Sequence, residues 1–276
     1  MKKLLFVALA FAGFSTLNAQ SLKTPQPSTT QTIKQEFGLG SIELSYSRPN
    51  AKGRDVMGNL VPYGKIWRTG ANSATTIAFT EDVTIGGKNI KAGKYGLVTI
   101  PGENEWTVIL TKDLNVSSPS SYKPENDVVR VMAKSLTMPA KVETFTMQFA
   151  NVSNSNIELH MRWENIAVAL PISTDIDSKV MKQINDAMNV DSKPYFAAAQ
   201  YYFENGKDLK DARMWIDKAI ESNPNAFWMT LLKARIHAKQ GDKTGAVAMC
   251  NKTMELATTA KNDDYIKMAK ELKESL

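Results

Sequence analysis

The 276-residue chain holds a single cysteine, Cys250, and only two histidines, His160 and His237. One thiol excludes an intramolecular disulfide and any multi-cysteine metal site, so stability must come from buried cores even in a compartment that permits bridges. The histidines are far apart and fall in segments of different pattern, and no HExxH helix is present. We therefore expect no metal and no cofactor. His160 alternates with Leu159 in a strand pattern and reads as a surface or partly buried strand residue; His237 reads as a packing or surface residue of a helix. Cys250 shares a helix face with Ala246, Val247 and Met254, the setting of a small buried hydrophobe. The glycine clusters also lack chemistry. Gly38-Leu39-Gly40-Ser41 does not complete a GxSxG elbow, and Gly86-Gly87-Lys88 has hairpin-turn rather than phosphate-loop spacing. Asp175-Ile176-Asp177 offers too few oxygens for calcium.

Long hydrophobic runs are missing too. The one apolar stretch near the start, residues 4–14, is shorter than the roughly 20 residues of a spanning helix. It follows Lys2 and Lys3 and precedes the small-residue site Leu17-Asn18-Ala19, so residues 1–19 read as an export signal cleaved after Ala19 or Gln20. No cysteine stands near that site to carry a lipid. The expectation is an exported protein, periplasmic or secreted, without a stable membrane anchor.

The formal net charge is +6, of which Lys2 and Lys3 supply two, leaving +4. Arg48, Lys52, Arg54, Lys65 and Arg68 against Asp55 alone also make +4 in one short segment. The rest of the mature chain is balanced, so the basicity is local. With no basic helix and no RNA-binding aromatic motif, nucleic acid is not an expected partner. An anionic small molecule, a glycan or an envelope component is.

Along the chain, residues 20–32 are rich in Ser, Thr, Gln and Pro and read as a flexible leader. Residues 33–172 read as β. Ile42, Leu44 and Tyr46 alternate with Glu43 and Ser45 as a half-buried strand requires, and short apolar runs at 75–79, 83–85, 95–100, 106–110, 128–135, 142–149, 157–163 and 166–170 are separated by turn residues. This spacing predicts an antiparallel β-sandwich or jelly-roll-like domain. Residues 173–276 read as helical, giving an α+β chain in two parts. Asp191 or Ser192, Asn225 and Asp242 are candidate helix caps. Gly206, Ala212 and Ala219 recur as Gly241, Ala246 and Thr253 at offsets of 35, 34 and 34 residues. That is the spacing of tetratricopeptide repeats, and the segment resembles about two of them.

The densest chemistry lies in residues 45–79, with Ser47-Arg48-Pro49, Lys52-Gly53-Arg54, Pro62-Tyr63-Gly64 and Trp67-Arg68-Thr69-Gly70-Ala71-Asn72. These motifs resemble the signature of the domain of unknown function 2911 family over roughly residues 28–172. The resemblance implies a β-rich domain and a candidate site, and no reaction. Read from the residues themselves, Arg48, Arg54 and Arg68 supply planar, permanently charged donors for carboxylate, phosphate or sulfate. Tyr63, Thr69 and Asn72 add neutral donors and acceptors, and Trp67 offers a flat face for a sugar ring. The opposite reading stays open: the arginines pair with carboxylates such as Asp55 or Glu43, and Trp67 fills the core.

Three functions follow. The first is a non-catalytic exported module binding an anionic or sugar-like ligand through the Arg-rich loop. The second is a scaffold whose helical repeats dock a protein partner. The third is a hydrolase or lyase using Asp55 or Glu164 with Arg68 as electrophile. The absence of catalytic signatures favours a protein that is not an enzyme.

Overall fold

A computed structural model describes residues 24–190 and 193–276. The expected export signal and the Asp191 or Ser192 cap lie outside the described residues. The period-2 pattern produces β2 (Gly40–Arg48), with Ile42, Leu44 and Tyr46 buried and Glu43 exposed. Gly38, at φ 65°, turns the chain into it from β1 (Thr29–Phe37), which pairs with β2 along its whole length. Residues 29–32, expected to belong to the leader, are strand. Thr30 and Thr32 hydrogen-bond across the ladder to the hydroxyls of Ser47 and Ser45, both at 3.1 Å. Threonine-rich sequence looks like a loop in isolation, but cross-strand hydroxyl pairs and β-branching hold it in a sheet.

The remaining strands are β3 (Thr76–Phe79), β4 (Val83–Ile85), β5 (Lys88–Ile90), β6 (Gly93–Ile100), β7 (Glu105–Thr111), β8 (Asp127–Ala150) and β9 (Asn156–Ser173). They form one antiparallel nine-stranded sheet in the order β1-β2-β3-β6-β7-β8-β9-β4-β5. Each of the last two long strands joins two shorter ones expected from sequence. From Thr137 to Val142 β8 advances five residues, while its partner β9 advances two, from Ile166 to Glu164. Pro139 falls inside the excess, where a missing N–H is tolerated, and Glu164 takes φ 47°. A bulge of this size bends the ladder, so the sheet doubles over. Side chains of both halves, from Leu44 and Ile77 to Phe145, Leu159 and Trp163, fill a single core. After β2 the chain closes onto the free edge of β8: Phe145 N–H donates to the Pro49 carbonyl at 2.8 Å, and Ala51 N–H to that of Glu143 at 2.9 Å.

One compact unit ends at Asp175 and the other spans Ile176–Leu276. The second contains α1 (Asp177–Ala187), α2 (Tyr195–Glu204), α3 (Leu209–Ser222), α4 (Phe227–Lys239), α5 (Lys243–Thr259) and α6 (Asp263–Glu274). Gly206 and Gly241, at φ 65° and 80°, separate α2 from α3 and α4 from α5. The repeat positions Ala212, Ala219, Ala246 and Thr253 are buried, the small side chains letting helices approach. Thr253 satisfies its hydroxyl on Thr230 at 2.9 Å. Asp242 caps α5 by accepting from Gly245 N–H at 2.8 Å. Asn225 does not cap α4; the helix begins at Phe227, which puts Ala226 in the cap position. Among the described residues no helix is long and apolar enough to cross a membrane.

Candidate functional site

The loop between β2 and β3 is anchored through its backbone. Gly64 N–H donates to the Pro101 carbonyl at 2.9 Å, and Trp67 exchanges two hydrogen bonds with Thr99 at 2.8 and 2.9 Å. The loop thus pairs with β6 where β3 would otherwise continue. Pairing sends Trp67 inward, where its indole stacks on Trp163 at 5.8 Å and meets Phe145 edge-on at 4.9 Å. Its Nε1 donates to the Gly70 carbonyl at 3.1 Å. Gly70 sits at φ 154°, and an added Cβ would lie 2.9 Å from the Ser47 carbonyl oxygen, so the turn tolerates no side chain there. Thr69 is fully buried and ties the turn internally, its hydroxyl meeting that of Thr99 at 3.1 Å and its carbonyl accepting from Thr75 at 2.8 Å. Asn72 donates to Gln26 Oε1 at 3.1 Å and to the Ser28 carbonyl at 2.8 Å, holding the chain before β1 beside the turn.

The arginines divide. Arg48 donates from Nε to the Phe145 carbonyl at 3.3 Å and from Nη2 to Thr146 Oγ1 at 2.9 Å, pinning β2 to β8. Beside it, burial pushes the Tyr46 hydroxyl above its ordinary pKa. Arg54 donates to the carbonyls of Ala51 and Asn50, both at 2.8 Å. Arg68 donates from Nη1 to the Ser117 carbonyl, while its Nε is buried with no hydrogen-bond partner. Ser117 belongs to a segment fixed by Tyr122, whose hydroxyl donates to Asp127 at 2.6 Å and is pushed up to about 12 by burial and that carboxylate. Among the described residues none of the three arginines forms an ion pair. The alternative pairing with Asp55 or Glu43 is absent among the described residues; the donors the arginines use go to the carbonyls of Phe145, Ala51, Asn50 and Ser117 and to the Thr146 hydroxyl.

Arg54 and Arg68 line one recess of about 390 Å³ together with Lys65 and Trp67. Its walls are otherwise apolar, from Pro49, Leu60, Val61, Pro62, Ile66, Ala71, Pro119 and Trp163, with Ser28 at one side and no carboxylate. Of the seven expected site residues, Arg54, Trp67 and Arg68 come together here. Arg48, Thr69 and Asn72 hold the scaffold. Tyr63 is exposed, its ring 2.8 Å from where a Cβ on Gly58 would stand. Sequence reasoning missed Lys65 as a lining residue, although it was counted in the charge surplus, and it missed the walls contributed by Trp163, Pro119 and Ser28. No local signal marks those three.

Asp55 and Glu164 line a different, smaller recess of about 210 Å³ with Arg54, Lys141 and Glu143. Glu164 accepts from Val56 N–H at 2.9 Å and Glu143 from Lys52 N–H at 2.7 Å. Arg68 does not line it, so the carboxylate-and-arginine constellation of a hydrolase is not assembled in one place. No group of three or more metal-binding side chains occurs among the described residues. His160 hydrogen-bonds Glu158 at 2.7 Å, which holds that carboxyl below its ordinary range.

No curated protein and no solved structure matches the chain. The family described as Protein of unknown function (DUF2911) matches residues 28–172, the segment that builds the whole sheet and its recess. That match spans more than half of the sequence, and the chain belongs to the DUF2911 family.

Proposed function

We propose that the protein is an exported, non-catalytic binding module that holds an anionic small molecule in the recess beside Trp67. One observation carries this reading: Arg54, Lys65 and Arg68 line a single concavity of about 390 Å³ that has no carboxylate in its lining. Arg54 also borders the neighbouring recess with Asp55, Glu143 and Glu164, but Lys65 and Arg68 do not, and an anion relieves their mutual repulsion. Arg68 Nη2, which is not buried and has no hydrogen-bond partner among the described residues, supports the same conclusion as a free cationic donor. The volume falls in the range of small-molecule sites, roughly 300–1,000 Å³.

The test is a thermal-shift panel of anionic metabolites and glycans on the wild-type protein and on Arg68→Ala. A ligand at about 100 times its Kd stabilises by about 2.7 kcal/mol, enough to move a melting temperature by several degrees. Anions are expected to raise the wild-type melting temperature, less so in added salt, and to leave Arg68→Ala unmoved. Equal shifts in both proteins would refute the reading.

A further inference from the structure

The lining of this recess also restricts what the anion is attached to, an inference that rests on the anion-binding reading above. A ligand carrying many hydroxyls needs donors and acceptors around it, because each desolvated hydroxyl left unpaired is a penalty. The recess offers charged donors in Lys65 and Arg68 but few acceptors. The Trp67 and Trp163 indole N–H groups are already committed, to the carbonyls of Gly70 and Glu143, both at 3.1 Å. Arg54 has given Nε and Nη2 to Ala51 and Asn50. Ser28 is the one neutral hydroxyl among the lining side chains, and no lining carboxylate can accept from a sugar.

The Arg68 guanidinium has one nitrogen left for an anion. Its Nη1 is held by the Ser117 carbonyl and its Nε is covered from solvent, while Nη2 is not buried and has no hydrogen-bond partner among the described residues. A carboxylate accepts a charge-assisted hydrogen bond from a guanidinium nitrogen of this kind. Around it, Leu60, Val61, Pro62 and Ile66 supply an apolar wall. We infer that the recess takes a monocarboxylic acid with a compact apolar body, of the size of a single-ring aryl acid. The carboxylate sits on Arg68, and the body lies against Leu60, Ile66 and the accessible part of Trp67. Sugar acids and inorganic oxyanions satisfy only half of that lining.

Calorimetric titration of the purified protein with phenylacetate, phenylacetamide, glucuronate and inorganic phosphate tests the assignment. Phenylacetate is expected to bind at least tenfold tighter than the other three. Arg68→Ala, which removes both charge and donor, should weaken phenylacetate at least tenfold. Leu60→Asn, at an exposed position that folding tolerates, should weaken phenylacetate severalfold and leave phosphate unchanged. Glucuronate or phosphate binding as tightly as phenylacetate, and losing that affinity in Arg68→Ala, would overturn the apolar-acid assignment and leave the anion-binding reading standing. Absence of any binding that depends on Arg68 would overturn both.

Discussion

The helical unit and the Arg48–Arg68 segment of the sheet unit handle charge in opposite ways. In the helical unit, cations meet carboxylates: Lys207 with Asp177 at 2.7 Å, Lys233 with Asp217 at 2.6 Å and Arg213 with Asp242 at 3.9 Å. Arg48 at the end of β2 and Arg54 in the loop after it meet backbone carbonyls, and Arg68 keeps an unpartnered donor at a recess without acids. Both segments are rich in charge, but the helical unit sets 16 cations against 14 acids, whereas the stretch from Arg48 to Arg68 sets five against one. Exposed pairs of the first kind contribute little, about 0–1 kcal/mol each, and mainly solvate a surface. Unbalanced charge in a concavity instead stores an electrostatic preference that a ligand can satisfy. The cores differ as well: large aromatics under the sheet, small residues between the helices.

The core difference sets the largest expected effect. Phe145 is fully buried, with Trp67 at 4.9 Å, Trp163 at 5.6 Å and Tyr46 at 5.8 Å. Phe145→Ala removes the centre of this cluster and should destabilise by about 3–5 kcal/mol in urea unfolding. Because Trp67 then loses its support, ligand binding at the recess should fall with it. A loss below about 1 kcal/mol would mean that the aromatic cluster does not hold the loop.

In the helical unit the sensitive change runs the other way. Ala219 is buried on α3, so Ala219→Trp overpacks a crossing and should cost about 1–3 kcal/mol, followed by ellipticity at 222 nm. A neutral outcome would show that helix separation there is not set by small side chains.

What the sequence revealed follows from the range of the interactions involved. The strand period of Ile42, Leu44 and Tyr46, the Gly86-Gly87 hairpin and the helical repeat are local or regular, and each is present as expected. The continuity of β8 was hidden because Pro139 and the excess residues of the bulge look like a turn when the partner strand is not in view. The same holds for the site. The residue types of the signature announced an Arg-rich loop, but the acceptor of Arg48 lies 97 residues away on β8, and Trp163 reaches the recess from β9. Which arginine is scaffold and which faces a ligand depends on strand pairing, and pairing is a long-range property.

That division can be measured. Arg48→Ala removes two hydrogen bonds between β2 and β8 and should cost about 1–2 kcal/mol of stability. Arg68→Ala should stay within about 0.5 kcal/mol of wild type in the same urea series, its effect appearing in ligand affinity. Equal stability losses would collapse the distinction between the two arginines.

The smallest effect tests the helical side of the comparison through pH. Lys207, and then the Tyr201 hydroxyl, hold the Asp177 carboxyl below its ordinary range, while Gly245 N–H and then His237 do the same for Asp242. A carboxyl whose folded pKa is depressed favours the folded state above its unfolded value of about 3.9. That contribution is lost as pH falls through the depressed folded value, so these two groups weaken the helical unit below about pH 4 and not near neutrality. Both side chains reach solvent, so screening keeps the contribution small and added salt should shrink it further. The urea midpoint of the 222 nm transition should drop between pH 6 and pH 3 in the wild type, and drop less in the double variant Asp177→Asn, Asp242→Asn. The same drop in both proteins would show that the paired carboxylates are only a solvated surface, and the contrast with the unbalanced loop would then rest on the sheet unit alone.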